Sequence, residues 1–195
     1  MRWISLLGLC VIHIIYGLGD VELRGAYFQF SSEVAKSIFS GSIPCIQLEY
    51  SRDFNQYLRV WLNTDYCMKE GNSINIGDNS TLQMVSFSIG PKFFYENEDG
   101  MAPYVGFGLI GSWIHTTDGS IYLPANTNKG SAGIVGKFGV RYSFFERLVL
   151  DFFFDASFQP VATEYGDAIA KKNINLGGYK AGLGIQTFFK FLEMS

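Results

Sequence analysis

Charge, histidine and long apolar runs are all scarce in this sequence of 195 residues. Charged side chains make up 17% of it, 15 Lys and Arg against 18 Asp and Glu, for a formal net charge of −3. The basic residues form no cluster, which argues against nucleic acid as a partner. Beyond residue 20 no apolar run approaches the ~20 residues that a membrane-spanning helix needs. Of the 2 histidines, only His115 lies beyond that point. No nucleotide, metal or haem motif occurs there either, so no cofactor is expected. Cysteine is limited to 3 residues, Cys10, Cys45 and Cys67.

The first twenty residues, MRWISLLGLCVIHIIYGLGD, stand apart. Arg2 precedes an apolar run from Trp3 to Tyr16, which closes on the small-x-small step Gly17-Leu18-Gly19. This reads as a secretory signal peptide over residues 1–19, cut before Asp20. The run is too short for a membrane anchor and lacks basic residues on its far side. Leu9 before Cys10 is too bulky for a lipoprotein site. Residues 20–195 are then one domain. Cys45 and Cys67 are an even count in an oxidising compartment. They form one disulfide or stand as two free, small, apolar side chains.

What the chain has in quantity is Gly (22), Phe (18) and Tyr (11), in alternating runs. The clearest is Gly130 to Phe158, GSAGIVGKFGVRYSFFERLVLDFFFDASF. Ile134, Phe138 and Val140 fall on one parity before the link at Phe145-Glu146, and Leu148, Leu150, Phe152 and Phe154 on one parity after it. Lys137, Arg141, Asp151 and Asp155 fall on the other. Successive strand residues point to opposite faces, so this is a hairpin with one apolar and one mixed face. A turn about Glu146 sets Arg141 opposite Asp151 and Lys137 opposite Asp155, and such cross-strand pairs stabilise a sheet. The same alternation predicts strands at about Val21–Phe30, Ile43–Arg52, Tyr57–Tyr66, Thr81–Glu96, Ala102–Ile114 and Ile174–Phe189, with SSEVAKSIF, after Phe30, as a helical turn.

Including the two arms of the hairpin, eight strands are expected, and their connections alternate. Polar stretches of about a dozen residues follow Phe30, Tyr66, Ile114 and Phe158; turns of a few residues lie between. This is the pattern of an eight-stranded antiparallel up-and-down transmembrane β-barrel, with short periplasmic turns and long extracellular loops. An open sheet edge in lipid would leave backbone groups unsatisfied, so closure is expected. The apolar parity then faces lipid. Glu22, Arg24, Glu49, Arg59, Asp65, Lys92, Lys137, Arg141, Asp151, Asp155 and Lys180 face a lumen just wide enough for side chains to fill. Buried charges must be paired. The expected pairs are Arg141 with Asp151, Lys137 with Asp155 and Arg59 with Glu49, with Lys180 and Arg24 joining where the last strand meets the first. Inward glycines such as Gly106, Gly108, Gly139, Gly182 and Gly184 leave room for the long side chains. Aromatic girdles are expected at Tyr50, Phe93, Tyr95, Tyr142, Phe144 and Phe189 at one end, and at Tyr66, Trp113 and Phe158 at the other.

Three stretches, APYVGFGLIGSW (from Ala102), GKFGVRYSFFERLVLDFFFDAS (from Gly136) and GGYKAGLGIQTFF (from Gly177), resemble the aromatic–Gly strands of the small outer-membrane barrel proteins of the OmpA, OmpX and OmpW type. The resemblance covers nearly all of the chain beyond residue 20. It implies the bacterial outer membrane as location, with outer-membrane lipids and the barrel assembly machinery as partners. It also leaves host or other extracellular ligands as partners for the loops. Some such barrels modify lipid A with a His, a Ser and a carboxylate. His115, Asp118 and Ser120 supply the residue types, but their spacing does not match those motifs, and no catalytic site is expected. Passive transport of small hydrophobic solutes, which the OmpW type suggests, needs a gap in the lumen that paired charges deny. The leading expectation is a structural surface protein that interacts or adheres through its loops and is plugged by its own charge network.

Overall fold

Residues that alternate apolar and polar over ten or more positions have one way to satisfy their backbone beside hydrocarbon, which is to pair on both edges. The computed structural model describes residues 19–33, 36, 41–72, 79–95, 97, 100–118, 126–145, 148–164 and 171–187. Eight strands close into one antiparallel barrel: β1 (Asp20–Phe30), β2 (Ile43–Asn55), β3 (Leu58–Asn72), β4 (Asn79–Phe94), β5 (Met101–Asp118), β6 (Asn126–Phe145), β7 (Leu148–Phe158) and β10 (Gly178–Thr187). Each pairs with its predecessor, and β10 returns to β1 from Val21↔Thr187 to Phe30↔Gly178. The expected leader, residues 1–19, lies outside the described residues except for Gly19.

Two features depart from the expectation. The polar stretches after Tyr66 and Ile114 are not loops from the point where they begin. β3 and β4 stay paired out to Asn72↔Asn79, and β5 and β6 out to Thr117↔Asn126. Strands β3 to β6 thus project beyond the rest of the wall, and β-branched residues such as Thr116, Thr117 and Thr127 favour the extended ladder there. Second, the last predicted strand, Ile174–Phe189, is broken. β9 (Lys171–Asn175) pairs with β8 (Pro160–Glu164) in a separate two-stranded sheet. The break comes at Asn175, whose Oδ1 accepts the N–H of Gln159 at 2.8 Å and of Gly177 at 2.9 Å. Such Asx contacts turn a chain out of its ladder. The expected helical turn after Phe30 is present in its described part: Lys36 N–H bonds the Ser32 carbonyl at 2.9 Å and its ammonium meets Glu33 at 2.8 Å; Val34, Ala35 and residues 37–40 lie outside the described residues.

The parity of every barrel strand is as expected. Leu23, Ile46, Leu48, Leu62, Phe87, Ile89, Phe107, Leu109, Ile134, Phe138, Phe152, Phe154, Leu183 and Ile185 all point outward, each more than 40% exposed. A continuous apolar belt of this size is untenable in water and suited to hydrocarbon. Exposed aromatics rim it: Phe93, Tyr95 and Phe144 at the short-turn end, Tyr66, Trp113 and Phe158 at the other. Phe189 lies outside the described residues.

Candidate functional site

Among the described residues, most of the buried ionisable groups gather in the lumen. Five acidic side chains (Glu22, Glu49, Asp65, Asp151, Asp155) and five basic ones (Arg24, Lys92, Lys137, Arg141, Lys180) are buried there, for no net charge. They come from β1, β2, β3, β4, β6, β7 and β10, and strand parity alone turns each inward. Arg24 is the hub. Its Nε donates to Glu22 Oε1 at 2.7 Å, its Nη2 donates to Asp151 Oδ2 at 2.6 Å, and its Nη1 lies 2.8 Å from Glu49 Oε2. Glu49 in turn accepts from Lys137 at 3.0 Å and from Lys92. Lys137 also donates to Asp155 at 3.2 Å, and Lys180 donates to Asp65.

Two expected pairs are not made. Arg141 stands opposite Asp151 in register, but its guanidinium reaches across the lumen to Glu22 at 2.9 Å. Asp151 is taken by Arg24 and by the Tyr104 hydroxyl, which donates to it at 2.9 Å. Arg59 does not meet Glu49. It sits partly exposed at the short-turn rim, bonded to Asp20 at 2.8 Å and to Asp53. Arg24 joins the network as expected, and Lys180 crosses the lumen to Asp65 on β3. Arg59 bonds Asp53, which stands directly opposite it in the ladder; a different reason covers Arg141 and Lys180. In so narrow a barrel the strand across the lumen is within reach of a long side chain, so ladder register does not dictate partners.

Alternation placed inward aromatics beside these cations, although reading for opposite charges alone passed over them. The Lys137 ammonium lies 4.5 Å from the Trp61 ring centre, Lys92 4.5 Å from Tyr104, Arg24 4.7 Å from Phe153, and Phe94 has Arg59 at 4.9 Å and Arg141 at 5.0 Å. Such contacts are stronger where water is excluded. The inward glycines make the space. A Cβ at Gly108 would stand 2.8 Å from Trp61, one at Gly139 2.4 Å from the Tyr104 hydroxyl, and one at Gly184 2.0 Å from Glu22 Oε1.

Toward the long-loop end the lumen turns apolar. Phe28, Phe30, Ile43, Leu82, Met84 and Ile114 pack with Cys45 and Cys67, which are joined in a disulfide. This lid was missed because the inward parity of β1, β2 and β4 was followed only through its charges. Between lid and charges lies a polar layer with Ser86 and Ser112 hydrogen-bonded at 2.7 Å. There the buried amides of Gln47, like that of Gln186 lower down, have no protein partner, and groups of this kind are held by water. Outside the lumen, His115 contacts the Asn128 amide oxygen at 2.7 Å and the Thr117 hydroxyl at 3.3 Å; Ser120 lies outside the described residues. Among the described residues no three His, Cys, Asp or Glu side chains group as a metal site.

Neither a protein-family model nor a curated protein matches this sequence. Solved structures do. Neisserial surface protein A superposes with a TM-score of 0.66 at 14% identity, over 88% of this chain and 97% of that one. OprG from Pseudomonas aeruginosa gives 0.60 at 14% identity, over 86% and 95%. Ail, the attachment invasion locus protein of Yersinia pestis, solved with the heparin analogue sucrose octasulfate, gives 0.55 at 12% identity, over 86% and 97%. The chain has the fold of the small bacterial outer-membrane barrels. That likeness matches the resemblance drawn from its strands and agrees with the barrel's architecture.

Proposed function

We propose that the chain is a surface protein of the bacterial outer membrane, exported behind a cleaved leader, whose work is done by its projecting hairpins and loops. The observation that carries this reading is the filled lumen: Lys92 and Lys137 are 0% exposed, inside a charge network of zero net charge and beneath an apolar lid. A wall whose interior is occupied by its own side chains serves as a scaffold, and recognition then falls to the loops it holds. Outer-membrane lipids are its surroundings, and the barrel assembly machinery is its route into them. That Ail holds a heparin analogue supports extracellular ligands as the partners of such loops, including host molecules. The protein is not an enzyme in this reading; among the described side chains His115 meets the Asn128 amide and the Thr117 hydroxyl.

The deciding experiment is conductance in planar bilayers, together with membrane fractionation. Purified protein is expected to fractionate with the outer membrane, to migrate differently on gels before and after boiling, and to give no single-channel steps. Stable steps would replace this reading with passive transport of small solutes. A lipid A deacylation assay that responds to His115→Ala would replace it with catalysis.

A further inference from the structure

The Cys45–Cys67 disulfide is enclosed on every side. Cys67 is 0% and Cys45 4% exposed. Toward the long-loop end the pair lies among Phe28, Phe30, Ile43, Leu82 and Met84, all buried. In the ladder Ala26 flanks Cys45, and Met84 flanks Cys67. Toward the short-turn end the next inward residues are Gln47 and Asp65, and Asp65 is held by Lys180. Thiol–disulfide exchange requires a thiolate to reach one of the sulfurs, and the closed barrel offers no approach. Yet the two cysteines belong to one hairpin. They stand in direct register on β2 and β3, whose turn is residues 56–57. Their alignment needs no other strand.

We propose that this disulfide is installed on the open chain, at the β2–β3 hairpin, by a protein dithiol–disulfide oxidant, and that barrel closure then withdraws it from exchange. One cysteine thiolate attacks the oxidant's disulfide, forms a mixed disulfide and releases one oxidant thiolate. The second cysteine attacks the mixed disulfide, closes the Cys45–Cys67 bond and releases the other. Two electrons pass to the oxidant, which leaves as a dithiol, and the two cysteine protons are lost or taken up by it. The bond pins the hairpin before its neighbours arrive. A one-residue slip would turn Trp61, Asn63 and Asp65 toward lipid, and the disulfide forbids it.

The test uses the full chain with Cys10→Ser, so that two thiols count, and reads free thiols by maleimide mass tagging after quenching and denaturation. The oxidised protein folded in lipid vesicles is expected to keep its disulfide under dithiothreitol conditions that fully reduce the same chain in urea. Reduction of the folded barrel as fast as the unfolded chain overturns the proposal. In the reverse arm, reduced protein is folded first and then offered glutathione disulfide. Retention of two free thiols supports the proposal, as does a reduced chain that does not close at all. Oxidation as fast as in urea overturns it.

Discussion

Arg24 holds three carboxylates from three strands, and no other described cation touches all of Glu22, Glu49 and Asp151. Replacing it with methionine leaves those carboxylates buried around an apolar side chain. The expected cost is about 3–5 kcal/mol, as for breaking any buried ion pair from one side, read as a lower urea midpoint for the barrel in lipid vesicles. Arg24→Lys keeps the charge but not the fork and should cost less. The glycines give a sharper contrast. Gly139→Ala drives a methyl into the Tyr104 hydroxyl and within 2.7 Å of the Phe152 carbonyl, for about 1–3 kcal/mol of overpacking. Gly25→Ala meets nothing within 4 Å and is expected to stay within about 0.5 kcal/mol of the parent. Both are measured by the same urea titration. At this scale the sequence told which way each side chain points, because alternation is local. It could not tell which charge each would find, as Arg141 and Arg59 show.

Among elements, β10 is the most demanding, since it must pair on both edges for the barrel to exist. Its centre presents Leu183 to the outside, 57% exposed. Leu183→Arg is expected to destabilise the folded barrel by about 2–4 kcal/mol, the cost of a cation on a lipid face near mid-depth, with unfolding in vesicles as the measurement. In a water-facing sheet the same change would be neutral. The β8–β9 hairpin is a different kind of element. Its strands pair with each other and add none to the barrel wall. Replacing residues 161–174 with a short Gly-Ser linker should leave the boiling-dependent gel shift intact. The sequence marked the break before β10 only by a change of phase: Ile174 and Leu176 share the inward parity of Lys180, while Tyr179, Leu183 and Ile185 hold the outward one. The Asn175 side chain, bonding to Gln159 sixteen residues earlier in the chain, ends the strand only once β7 is in place.

For the molecule as a whole, inside and outside are inverted relative to a water-soluble β protein. The inverted sense makes one prediction about the lumen and lid together. Arg24→Met, by opening the hub, is the variant expected to give current in planar bilayers where the parent gives none, and silence from it would place the barrier in the apolar lid of Phe28, Ile43 and Leu82. The projecting β3–β6 sheet also makes the barrel asymmetric about its mouth, higher on one side than along β7, β10, β1 and β2.

By itself the sequence determined the strand parity, the strand count in the wall and the outward belt, since each follows from a period of two and from the intolerance of hydrocarbon for unpaired backbone. The pairing of Lys137 with Asp155 was also legible; only the tertiary structure decided the other ion-pair partners, the cation–aromatic contacts, the apolar lid and the diversion of residues 171–175 out of the wall. Closing a sheet into a narrow cylinder brings strands that are far apart in the ladder within one side chain's length of each other, and no local pattern in the chain encodes that distance.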